Sequence, residues 1–369
     1  MERHKPFFEF IRYTIGAESS VPCSIENIDW SQFLDFCSRQ SIMGLVFGGI
    51  ERMIGENVIH NLDQELLLEW IGSAETIKAT NVLVNKRAIH ISQFFEGKNC
   101  HSCILKGQAN ATMYPRPELR SPGDIDIWVK KDEYPNDNKG DEVADVIRMV
   151  LKECPDAHYS LHHVTMPVFE DTAVEVHYRP IFLDNWLYDR RFVKTLSEVS
   201  DRQFANRVEL SKGNRVGMLT DEVNALYQLL HMWHHLLSTH NNLKQLIDYY
   251  YLLKRGLKDG EKGWVASHFK KLGVEKYARG IMWIENLVLG LDTRYLILQP
   301  DEKIGKLLLR YVLEYGHKPK RSKASMLIHR ITDNLPLMRY FPSAVIINPM
   351  YLIWHQWWKL KMKHKLKAK

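Results

Sequence analysis

Long apolar runs are missing from this 369-residue sequence, and with them the expectation of a membrane-spanning helix. A spanning helix needs roughly 18 or more largely uninterrupted apolar residues, and the most apolar late segment, AVIINPMYLIW, is interrupted by Asn348 and Pro349. The opening MERHKPFFEFIRY also lacks an apolar core followed by small residues at a cleavage point. No secretory signal is therefore expected, and the expected location is cytoplasmic. Cysteine is scarce: five residues, an odd number without dense spacing, argue against a disulfide framework and for reduced thiols. Cys100 and Cys103 form a CxxC, but a zinc ribbon needs a second pair that the sequence does not contain. A redox CxxC normally opens a helix, whereas this one runs into the strand-like CILKG, so plain buried thiols are expected. Charge of one sign is also in short supply. The net charge is +6, with much of the excess in the terminal KLKMKHKLKAK, and so small an excess neither requires nor excludes an anionic ligand. There is no internal repeat and no low-complexity segment.

What is present reads as an ordinary globular chain, 45% hydrophobic and 25% charged. Residues 1–97 carry helical spacing. Asp29 is placed to cap DWSQFLDFCSRQ with Gln32 reaching back, and a longer helix from DQELLLEW ends near Gly97. Residues 98–185 change texture. HSCILKG reads as a strand, QANATMY as a short helix, PRPELRSPG as a loop and DIDIWV as an alternating strand. DEVADVIRMVLKE then places Val143, Val146, Ile147, Val150 and Leu151 on one helical face. HYSLHHVTMPVF and TAVEVHYRP read as two strands joined at Glu170 and Asp171. Residues 186–340 return to helices, and 341–369 form an aromatic and basic tail. The tail suits a solvated helix end, weak contact with an anionic membrane surface, or a phosphate backbone. The fold class expected is α+β: a small mixed sheet with packed helices between two helical regions.

Side chains two apart on a strand share a face. Asp124 and Asp126 therefore project together while Ile125, Ile127 and Val129 turn to the core. Paired ionised carboxylates repel one another, and burial adds to the cost. A divalent cation removes both penalties, and hard oxygen ligands suit Mg²⁺ (or Mn²⁺). Gly123 is expected to let the backbone turn sharply into the strand and leave room for a ligand. VEVHY repeats the pattern, with Glu175 and His177 on one face. If that strand lies beside DIDIWV, Glu175 becomes the third carboxylate of a two-metal phosphoryl-transfer site and can take the acceptor's proton.

The run ILKGQANATMYPRPELRSPGDIDIWV, with LHHVTM and VEVHYRP, resembles the uncharacterised nucleotidyltransferase family of the DNA polymerase β-like superfamily. Its Lys-Gly step, the Arg before Gly-Asp-x-Asp and the Glu-x-His strand fall on Lys106, Gly107, Arg120, Gly123, Asp124, Asp126, Glu175 and His177. The resemblance implies transfer of a nucleoside monophosphate from an NTP to an acceptor hydroxyl on a protein, RNA or small molecule. It makes Asp124, Asp126 and Glu175 catalytic metal ligands, and Lys106, Gly107, Arg120, Gly123 and His177 substrate contacts. One departure stands out: Gln108 follows Gly107 where the wider superfamily has Gly-Ser or Gly-Gly. Two other readings stay open, a non-catalytic nucleotide-binding or interaction protein on the same fold, and a DxD glycosyltransferase.

Several bland roles also stand beside these. Lys106 and Arg120 suit salt bridges as well as phosphate, and Glu170 or Asp171 competes with Glu175 as third acid. Strand alternation would let only one of His162 and His163 face the site. His231, His234 and His235 read as packed histidines rather than zinc ligands, and Lys244 with Asp248 as a surface i,i+4 pair.

Overall fold

The structure, a computed structural model, describes residues 4–58, 60–132, 142–238, 241–314, 332 and 334–367. Its first helices follow from the spacing of their aromatics. Helix α1 (Lys5–Thr14) and α2 (Trp30–Arg39) bury Phe7, Phe10, Trp30, Phe33 and Phe36 against one another and against α3 (Met43–Gly55). Asp29 caps α2 by accepting from the Gln32 backbone N–H at 3.0 Å, and the Gln32 amide donates to the same carboxylate at 2.7 Å. The reciprocal bond therefore closes on the side chain and not on the Asp29 backbone.

Helix α4 (Gln64–Glu96) ties the two halves of the molecule together. Its 33 residues span about 50 Å at 1.5 Å per residue. Trp70 and Ala74 belong to the helical core, while Val84, Ala88, Ile91 and Phe95 lie under the sheet. Gly97 is its C-cap in right-handed geometry, and the left-handed turn into the sheet is made two residues later by Asn99 at φ 56°.

The fold is α+β, as the sequence predicts. Strands β1 (Cys100–Ile104), β2 (Ile125–Lys131), β3 (His158–Tyr159), β4 (His163–Thr165) and β5 (Val174–His177) form one mixed sheet in the order β1-β2-β5-β4-β3. Only β2 and β5 run parallel, in a register that sets Asp126 opposite Glu175. Ile125, Ile127, Val129, Val174 and Val176 face α4 and α6 (Glu142–Glu153), the latter through Ala144, Val146, Ile147 and Val150. On the other face Cys103, Leu105 and Trp128 join the helical core, and Trp128 packs on Phe204 with ring centres 4.6 Å apart.

Two expectations are corrected here. Residues 158–169 do not form one strand: the chain folds back between β3 and β4. Ser160 makes the turn, its N–H donating to the His163 carbonyl at 2.8 Å while its hydroxyl bonds the same carbonyl at 3.2 Å. Residues 186–340 are not all helical either. Helix α7 (Trp186–Ala205) is followed by a hairpin of β6 (Arg207–Ser211) and β7 (Asn214–Gly217), turning at Gly213 with φ 79°. Alternating Val208 and Leu210 and the Lys-Gly-Asn turn carried that signal, which the flanking arginines obscured.

Helices α8 (Asp221–Ser238), α9 (Leu243–Lys254), α10 (Asp259–Lys271), α11 (Glu275–Trp283) and α12 (Glu302–Leu313) complete the second helical region. A C-terminal helix, Pro342–Lys367, returns to the sheet end of the molecule. Trp354 stacks on Phe182 at 5.1 Å and Met362 enters the sheet core, while Ile346, Met350, Trp357 and Leu360 face outward. Among the described residues no helix is long and apolar enough to cross a membrane.

One buried acid gives a stability prediction. Glu285 is fully buried in a π-helical turn (Ile284–Val288), and neither of its carboxylate oxygens has a hydrogen-bond partner among the described residues. Burial pushes its carboxyl well above the usual range, so the native state holds a proton that the unfolded chain releases. Stability should therefore fall as pH rises above the ordinary carboxylate value, by about 1.4 kcal/mol per pH unit until Glu285 itself ionises. Glu285→Gln removes that slope. Urea unfolding at pH 5, 6, 7 and 8 should show the variant's relative stability growing with pH, and a constant difference would refute a neutral Glu285.

Candidate active site

Strand alternation and register bring the acids together. Asp126 is 2% exposed on β2, Glu175 is its partner on β5 at 29%, and Asp124 sits at the mouth at 40%. The bond from Leu105 N–H to the Asp126 carbonyl, 2.9 Å, extends the β1–β2 pairing to the edge of the site. Immediately after it Lys106 places its Nζ 3.2 Å from Asp126 Oδ2 and 3.6 Å from Asp124 Oδ2. Burial by itself would lower the lysine's pKa, but the two aspartates and Glu175 outweigh it and hold the ammonium charged. Burial likewise works against ionised Asp126, and the Lys106 charge with the His177 bond reverses the balance, leaving its carboxyl below the usual range.

His177 is the other charge in this group. Its Nε2 lies 3.1 Å from Asp126 Oδ1 and 3.5 Å from Glu175 Oε2. Burial disfavours protonation, yet the two carboxylates raise the ring to about 9, so it is cationic at neutral pH. Glu175 stays ionised because its bonds and charges from His177 and His163 overcome desolvation. The set fits a divalent cation on chemical grounds. Ligand atoms of Asp126, Glu175 and His177 lie within 4.8 Å of one another, and the Lys106 ammonium already sets positive charge beside both aspartates. Asp126 Oδ2 is buried, and the Lys106 ammonium at 3.2 Å is its polar neighbour among the described residues.

Of the rival third acids, Asp171 is taken by Arg87 and Glu170 is exposed in its turn. His162 and His163 depart from the strand argument. His162 lies in the turn before β4, where alternation does not apply, and both rings come within 5.4 Å of the His177 ring, centre to centre.

The loop that delivers Asp124 is anchored from two helices. Asn81 of α4 donates to the carbonyls of Glu118 and Arg120, both at 2.8 Å. Arg120 is 4% exposed, and its Nε and Nη2 each donate to Asp248 of α9 at 2.7 Å, where Tyr114 also donates at 2.6 Å. The pair expected on the surface is thus Arg120–Asp248 and buried, not Lys244–Asp248. With both prongs engaged, Arg120 shapes the cleft floor instead of offering a free fork for phosphate. Lys244 instead turns into the cleft, where burial and then repulsion by Arg120 lower it to about 8.

The glycines divide. Gly107 (φ 63°) is required, because a side chain there would be strained and its Cβ would press on the Asp124 carbonyl at 3.3 Å. Gly123 has no positive φ, so its backbone does not require glycine; among the described residues a Cβ would meet only the Lys244 ammonium at 3.7 Å. Gln108, which replaces the small hydroxyl, faces α4 and bonds Asn81 and Asn85 at 3.2 and 2.6 Å.

Lys106, Gly107, Arg120, Gly123, Asp124, Lys244 and Asp248 line a cleft of about 260 Å³ between the sheet and the second helical region. Its far wall is α8 and the start of α9, including Tyr227, Gln228, His231, His235, Asn242 and Gln245. His231 Nε2 lies 3.3 Å from Lys106 Nζ and 3.2 Å from His235 Nε2. The i,i+4 spacing of His231 and His235 was legible in sequence, but not that their helix closes the cleft.

The uncharacterised nucleotidyltransferase family is one whose model matches this chain, over residues 26–290. No curated protein matches it. Among solved structures, an antigenic nucleotidyltransferase-like protein from Paracoccidioides brasiliensis shares 13% identity with a TM-score of 0.31, covering 51% of this chain and 87% of that one.

Proposed function

Because this chain belongs to the uncharacterised nucleotidyltransferase family, we propose that it transfers a nucleoside monophosphate from an NTP to an acceptor hydroxyl, releasing pyrophosphate. The observation that carries this reading is the parallel β2–β5 register, which sets Asp126 opposite Glu175 and beside Lys106, a residue that lines the cleft together with Asp124 and Lys244. Asp124, Asp126 and Glu175 would hold Mg²⁺ or Mn²⁺. A cation held there would supply neutralisation of phosphate charge and acidification of the attacking hydroxyl. Every other element belongs to the chain. Glu175, ionised and partly exposed, accepts the hydroxyl proton at Oε2. Lys106 and Lys244 are the point charges for the triphosphate, and Gly107 brings the backbone close to it. Arg120, held by Asp248, is a positioning residue that fixes the loop carrying Gly123 and Asp124. His177 holds Asp126 and Glu175 in place through its Nε2. The α8–α9 wall, with its amides, is the surface against which base and acceptor are chosen.

Purified protein incubated with α-labelled NTP, Mg²⁺ and candidate protein, RNA or small-molecule acceptors should yield labelled product, lost in Asp124→Ala. Label transfer retained in that variant would remove the acidic strand from the reaction. Nucleotide binding that is sensitive to Lys106 and Lys244, without any turnover, would favour the non-catalytic reading.

Lys244 gives a pH signature. Its charge is present below about 8 and lost above it. Lys244→Ala should weaken Mg·NTP binding about 10-fold at pH 7, and the ratio of variant to wild-type Kd should shrink as pH rises through 8 to 9.5. Calorimetric titration measures this; a ratio independent of pH would take Lys244 out of phosphate binding.

A further inference from the structure

Beside the acidic pair, and beyond what nucleotidyl transfer requires, lies a second group of ligand atoms. One nitrogen from each of His162, His163 and His177 falls within a common span of 4.8 Å. The ring centres are 4.6, 5.4 and 5.2 Å apart. Three imidazoles bound at 2.0–2.1 Å to one tetrahedral ion have centres roughly 5 Å apart, so the rings already stand near that arrangement. The Nδ1 atoms of all three are buried and have no hydrogen-bond partner among the described residues. Buried ring nitrogens without partners are uncommon, and three on neighbouring rings need an explanation.

We propose that His162, His163 and His177 form a site for a zinc-class divalent cation, separate from the Mg²⁺ position at the aspartates. The two sides of His177 carry the argument. Its Nε2 is engaged by Asp126 Oδ1 at 3.1 Å, while its Nδ1 has no hydrogen-bond partner among the described residues, and an ion bound there would take the place of the Nδ1 proton. A metal-bound imidazole characteristically has its second nitrogen on a carboxylate, which fixes the ring and strengthens it as a ligand. Asp126 occupies that position. Water would supply the fourth ligand, because Glu175 Oε2 already lies on the Nε2 side of His177. Three nitrogens suit zinc or a similar borderline ion and suit Mg²⁺ poorly, so the two sites would not compete for one metal. The ion would pin the Ser160 turn to β5 and, through His177, fix the Asp126 carboxylate. It would therefore position the acidic site without touching substrate.

The test uses the full chain under excess Mg²⁺, without nucleotide, so its outcome is independent of whether the protein transfers nucleotides. Titrated Co²⁺ should give the visible absorption of a tetrahedral nitrogen–oxygen site at one equivalent, with no thiolate charge-transfer band, and Zn²⁺ should abolish it. His162→Ala and His163→Ala should each weaken Zn²⁺ binding at least about 10-fold, while Asp124→Asn leaves the Co²⁺ spectrum in place. Zinc-edge X-ray absorption on the wild type counts imidazoles directly and needs no variant to fold. Two or three imidazoles support the site. An oxygen-only or sulfur shell, displacement of Co²⁺ by Mg²⁺, or binding unchanged in folded His162→Ala and His163→Ala proteins overturns it.

Discussion

Asp126→Asn is expected to lower NTP-dependent label transfer by at least roughly 10³-fold while the protein remains folded. The size follows from what one carboxylate does here. Asp126 faces Lys106 on one oxygen and His177 on the other, at 2% exposure, so no neighbouring group or water can replace its charge. Loss of about 4 kcal/mol of transition-state stabilisation corresponds to that factor. The amide is nearly isosteric and can still bond His177, so the packing of Ile125 and Ile127 on the opposite face is undisturbed. Asp124→Asn should be less damaging, because the more exposed Asp124 is open to compensation by solvent. Single-turnover label transfer paired with thermal melts separates chemistry from folding. A folded Asp126→Asn protein within 10-fold of wild type would mean that this carboxylate does not serve the reaction.

Asp248→Ala should destabilise the protein by about 3–5 kcal/mol, the largest folding effect expected of any single change in the site. The carboxylate accepts three charge-assisted or hydroxyl bonds, from Arg120 Nε, Arg120 Nη2 and Tyr114. Removing it leaves a guanidinium buried and unpaired, and that desolvation term, more than the lost attraction, sets the magnitude. The double change Arg120→Met with Asp248→Leu should recover most of the loss, since a buried pair can often be exchanged for apolar side chains of similar volume. Urea unfolding of the single and double variants tests this. A single variant as stable as wild type would show that the pair is not buried in solution. The double variant should still transfer label poorly, because the loop presenting Asp124 loses its anchor.

How far the sequence could be read depended on the distance over which each contact acts. Asp124, Asp126, Glu175 and His177 were legible because a period of two fixes which side chains share a face, and the β2–β5 register then needed only two neighbouring strands. Gly107 came only through the family resemblance, as a substrate contact, and its positive φ was not legible, while Gly123, read as the glycine that the turn needs, has no positive φ. The Arg120–Asp248 bond joins residues 128 apart in sequence, and no local pattern reports it. Lys244 and Asp248 looked like an i,i+4 pair, but each finds its environment in tertiary packing. His162 was misjudged for a different reason: a serine-held turn ended the strand before it. The fold class survived all of these, since alternating apolar residues decide layers, whereas turns and long-range ion pairs decide where functional side chains end up.

The measurement that addresses the acidic site most directly is anomalous diffraction from crystals grown with Mn²⁺ and a non-hydrolysable NTP analogue. Manganese is expected at bonding distance from both Asp124 and Asp126, with the triphosphate lying toward Lys106 and Lys244. Manganese bound elsewhere, with the nucleotide outside the cleft between β2 and α8, would contradict the account.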